Sequence, residues 1–104
     1  MRERIERIQR MEVLLNQSDA ALKGLEEAMR IFNGIQENIR ELKSYYENGL
    51  WREDYEADEA GELPDDLKRG VLSQDALYNL LADYDEMVKR IRDLESILIK
   101  QKQG

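Results

Sequence analysis

The stretch SQDALYNLLADYDEMVKRIRDLESILIKQ, residues 73–101, decides the fold class. Leu77, Leu80, Tyr84, Met87, Ile91, Leu94 and Leu98 follow one another in steps of 3 and 4. Apolar residues at that spacing line one side of an α-helix, and unbroken heptads call for a helical partner. Ser73 is the expected N-cap, and Asp75 in the first turn suits the positive end of the helix dipole. Lys100 and Lys102 suit the other end.

The partner is sought upstream. Residues 3–48 carry Ile5, Ile8, Met11, Leu15, Leu22, Leu25, Met29, Phe32, Ile35, Ile39, Leu42 and Tyr46, again in threes and fours. Ser18 fills the one polar step. Val13, Leu14, Ala21, Ala28 and Ile31 widen the stripe beyond a narrow seam. Gly24 and Gly34 are weak points inside this helix, and Asn48-Gly49 is its expected stop, because glycine readily takes the left-handed conformation. At ~1.5 Å per residue the two helices measure about 68 Å and about 43 Å. The shorter cannot cover the longer, and ~25 Å of apolar stripe is left for something else.

That something is expected to be the connector, residues 50–72. It is too long for a plain helix-helix loop, which usually takes 2 to 8 residues. It carries Trp51, Tyr55, Leu63, Leu67, Val71 and Leu72, a short helix expected over 51–60 with Gly61 as its stop, and a turn at Pro64. The expectation is that it folds back over Ile35, Ile39, Leu42, Tyr45 and Tyr46, while the second long helix runs antiparallel along residues 5–32. The fold class is therefore all-α: one helical domain over 1–104, an antiparallel, coiled-coil-like hairpin with a helix at 3–48, a capping connector at 50–72 and a helix at 73–101. The rival arrangement is a homodimer, in which a second copy covers the seam and makes a four-helix bundle.

Charge sets limits on function. The formal net charge is −7, which works against phosphate backbones, so nucleic acid is not an expected partner. Residues 53–66 hold eight acids and no base, whereas residues 1–10 sum to +2 and residues 89–104 to +3. No stretch approaches 18 uncharged apolar residues and no signal-peptide pattern opens the chain, so no membrane contact is expected and a cytoplasmic setting is.

The sequence contains no histidine and no cysteine. Most general-base, nucleophile and zinc-site schemes need one or the other. No glycine-rich phosphate loop is present. The acid block EDYEADEAGELPDD offers oxygen ligands for Ca²⁺ or Mg²⁺, but counting back from Gly61 puts Ala60 where an EF-hand needs a ligand. No catalytic residues, cofactor or metal ligands are assigned. The connector residues Trp51, Asp54, Tyr55, Asp58, Glu59, Lys68 and Arg69 are the candidates for binding a partner.

Tyr45, Tyr46, Gly49, Trp51, Asp58, Glu59 and Gly61, with the run Leu67 to Ser73 and then Asp75, Tyr78, Leu80 and Leu81, form the pattern SYYxxGxW…DExG…LKRGVLSxDxxYxLL. In this pattern the chain resembles a family of short acidic bacterial proteins catalogued only as a domain of unknown function. The resemblance covers about a third of the chain, supports the element boundaries and implies no activity.

The leading expectation is a non-enzymatic helical interaction or scaffold protein with a protein partner. The second is a small acidic regulatory binder, of antitoxin or inhibitor type, that docks a basic partner through residues 53–66. The third is a divalent-cation binder.

Overall fold

The computed structural model describes residues 1–103, and among them there are four α-helices, one short 3₁₀ turn and no strand. The chain divides into two compact units, Met1–Glu37 and the residues from Asn38 onward.

The first unit is built on α1, Arg2–Gly34. Its surface is laced by i,i+4 pairs such as Lys23 with Asp19 at 2.9 Å, each contributing about 0.3 kcal/mol. None of its residues is buried. Where the sequence spacing predicts one helix over 3–48, the helical ladder is interrupted at Ile35 and resumes as α2, Gln36–Glu47. The physical reason is local. Gly34 offers no side chain to hold the turn. The Phe32 carbonyl accepts the Ile35 N–H at 3.2 Å and the Gln36 side-chain amide at 3.1 Å.

The second unit is a helical hairpin. α2 leads in, a capping segment follows, and α4, Ala76–Gln103, leads out. The expected stop at Asn48-Gly49 is present: Gly49 has φ 93°. It also opens α3, Leu50–Glu59, with Asn48 Oδ1 accepting the Leu50 N–H at 3.0 Å. At the far end of α3, Gly61 has φ 71°. The Glu62 N–H bonds to the Ala57 carbonyl and the Gly61 N–H to the Asp58 carbonyl, both at 3.0 Å. This pair of bonds is the Schellman closure, which needs a residue free to adopt the left-handed conformation.

The chain then returns alongside α3 to the 3₁₀ turn Gly70–Leu72. Ser73 does not cap α4 as the sequence suggests. Its hydroxyl donates to the Gly70 carbonyl at 2.8 Å, and the first helical bond of α4 runs from the Asn79 N–H to the Asp75 carbonyl.

Burial in this unit falls on two stripes. Ile39 is buried, with Leu42 and Tyr46 half-buried one and two turns on. On α4 and just before it, Leu72 and Leu77 are buried, with Leu81, Tyr84 and Val88 half-buried. The inward stripe of α4 is thus Leu77, Leu81, Tyr84 and Val88. The predicted seam through Leu80 and Met87 lies on a neighbouring face and is open to solvent.

Candidate functional site

The connector gathers most of the residues singled out from the sequence. α3 places Trp51, Tyr55 and Asp58 at i, i+4 and i+7, one above another on the same face. The Trp51 indole stacks on Tyr55 with centroids 5.1 Å apart and an interplanar angle of 21°, and tilts against Tyr46 at 5.3 Å. Its Nε1–H donates to the Val71 carbonyl at 2.9 Å. A half-buried tryptophan with its one polar atom satisfied is a small core rather than an open pocket.

The Tyr45 hydroxyl donates to Asp54 Oδ2 at 2.6 Å. Partial burial, then this hydrogen bond and the charge of Asp54, push the phenol up to about 12. Arg69 closes the returning segment onto α3. Its guanidinium pairs with Asp58 and also donates to the Pro64 carbonyl at 2.6 Å. The structure therefore brings Trp51, Asp54, Tyr55, Asp58 and Arg69 into contacts within the unit. Glu59 and Lys68 stay exposed and join none of these contacts. Among the described residues no three carboxylates converge as a metal site would require. The outer face of α3, with Glu53, Glu56 and Glu62 around Ala57 and Ala60, is an open acidic dip.

Arg69→Lys tests the clamp. A point charge cannot serve two acceptors in the geometry of a planar fork. The expected loss is about 1 kcal/mol, set low because the pair is partly exposed. A urea melt read by Trp51 fluorescence measures it, and an unshifted midpoint would show that the guanidinium contributes only a solvated charge.

The largest unassigned feature lies outside the connector. On α1, Ile8, Met11, Leu15, Leu22, Leu25 and Met29 are each between 49% and 67% exposed. The spacing predicts that this stripe is covered, and α1 buries none of its residues. A second open stripe runs down α4 through Leu80, Met87, Ile91, Leu94 and Leu98, at 43% to 53% exposure. Monomeric proteins rarely expose contiguous apolar patches above a few hundred Å², and larger ones mark interaction sites. The spacing that reveals these stripes is plain in the sequence; their exposure is not.

Comparison with known proteins gives a family match. The family model described as Domain of unknown function (DUF4298) covers residues 8–94. The chain belongs to this family. No match is found among curated proteins or among solved structures. The matched region takes in both the connector cluster and most of the open α1 stripe, so both features lie within the DUF4298 part of the chain. No described helix of this DUF4298 protein is long and apolar enough to cross a membrane.

Proposed function

We propose that this DUF4298 protein is a non-enzymatic helical interaction module whose docking face is the apolar stripe of α1. The carrying observation is the exposure of Ile8, Leu15, Leu22 and Met29 at helical spacing on a helix that buries none of its residues. A 33-residue helix gains little from propensity alone, since most helical stability in proteins comes from packing an apolar face. Absence of histidine and cysteine from the sequence supports a role in binding rather than catalysis. The cysteine-free sequence also suits a reducing compartment, and a cytoplasmic setting is part of this reading. Docking through the acids of residues 53–66 is the weaker reading, because Asp54 and Asp58 are already engaged by Tyr45 and Arg69.

The test is site-specific photocrosslinking in cells. A photoreactive residue at Leu15 or Leu22 is expected to capture a protein, and one at Ala20 on the opposite face to capture none. Equal capture at all three positions, or capture at none, would refute the docking face.

A further inference from the structure

The α1 stripe carries more information than its apolarity. Ile8, Met11, Leu15, Ser18, Leu22, Leu25 and Met29 alternate steps of 3 and 4 without a break. That repeat of 3.5 residues is the signature of a left-handed coiled coil. It fixes which residues flank the seam. On one flank lie Glu12, Asp19 and Glu26; on the other lie Arg7, Leu14, Ala21 and Ala28.

Building on the docking face proposed above, we infer that the occupant of this stripe is α1 of a second copy, laid parallel and in register. The flanks decide between the possible arrangements. In a parallel coiled coil, a flanking residue before one heptad position meets the residue five further on in its partner. Arg7 then faces Glu12 of the partner subunit, and two-fold symmetry repeats the pair. Leu14 and Ala21 meet Asp19 and Glu26 of the partner subunit, with no like charges opposed. In the antiparallel arrangement Glu12 faces Glu26 of the partner subunit and Asp19 faces Asp19 of the partner subunit. Acids then line one flank with no base among them. The base and acid needed for the parallel flank both lie on this one helix, so an identical chain supplies both.

Ser18 supports the same register. It is the single polar residue in the stripe. In the parallel arrangement two serine hydroxyls share one layer, where one can donate to the other. A shift of one heptad would set each hydroxyl against an apolar residue and leave it without that partner, which disfavours other registers. In the antiparallel arrangement Ser18 lies beside Leu22 of the partner subunit and has no such mate.

The absence of cysteine makes the test clean. The full chain in solution is expected to show twice the mass of one chain by light scattering. Leu22→Glu is expected to return it to one chain, with association weakened tenfold or more and Trp51 emission unchanged, so that loss of the dimer is not loss of the second unit. Met11→Cys and Met29→Cys are each expected to oxidise to a covalent dimer. Mixed together, they are expected to give 11–11 and 29–29 links and no 11–29 link, because a disulfide needs Cα atoms within about 7 Å. A single-chain mass at all concentrations, or a predominance of 11–29 links, overturns the parallel dimer. Single-chain mass with seam-specific capture of a different protein sinks this inference alone and leaves the docking face standing; absence of seam-specific capture sinks both.

Discussion

Trp51→Ala is expected to lower the unfolding free energy of the second unit by about 3 kcal/mol, the low end for a large aromatic because the ring is only half-buried. Three contacts are removed together. The stacked pair with Tyr55 and the tilted pair with Tyr46 are each worth about 1 kcal/mol beyond area. The indole hydrogen bond to the Val71 carbonyl adds roughly 1 kcal/mol. Stability of a domain this size is about 5 to 15 kcal/mol in all, so the loss is a large share. Urea unfolding followed by circular dichroism measures it. Trp51→Phe separates the causes: it keeps a ring between the tyrosines and discards the N–H, so an intermediate loss is expected. If both variants melt like the parent, the aromatic cluster is not what fastens the connector.

Leu77→Ala is expected to cost about 3 kcal/mol. Leu77 is 3% exposed, the least of any large apolar residue, and it stands at the start of α4 beside the buried Leu72. Deleting it removes the transfer free energy of the side chain and leaves a cavity between elements that cannot fully collapse. Leu80→Ala, three residues on, is expected to cost under about 1 kcal/mol, since surface substitutions usually change little. The two are equivalent on the heptad pattern and unequal in the fold. Comparable losses at both positions would mean that the inward face of α4 runs through Leu80 after all.

That pair shows where the sequence was readable and where it was not. Helical identity followed from spacing, and the stops at Gly49 and Gly61 followed from local backbone chemistry that needs no tertiary knowledge. The face turned inward did not, because Leu80 and Leu81 are adjacent and each continues a 3-and-4 pattern from Leu77. Choosing between them takes the position of neighbouring elements. Ser73 failed as a cap because α4 begins only at Ala76, which puts Asp75 rather than Ser73 at the position before the helix. At the break at Ile35 the Gln36 side chain reaches back one turn to the Phe32 carbonyl, a contact that spacing alone does not reveal. At the connector, Trp51, Asp54, Tyr55, Asp58 and Arg69 were legible as special. Their aromatic and charged character is the same whether they bind a partner or each other, and only geometry separates the two.

The left-handed glycines at either end of α3 make that helix a ruler. Trp51 meets Val71 near one end, and Asp58 meets Arg69 seven residues away, about two turns. Adding or removing a single residue between them would rotate one contact by about 100° relative to the other, so that both could not be satisfied at once. The length of α3 is therefore quantised. Insertions within it are tolerable only as near-whole turns matched by an equal extension of the segment that carries Arg69 and Val71.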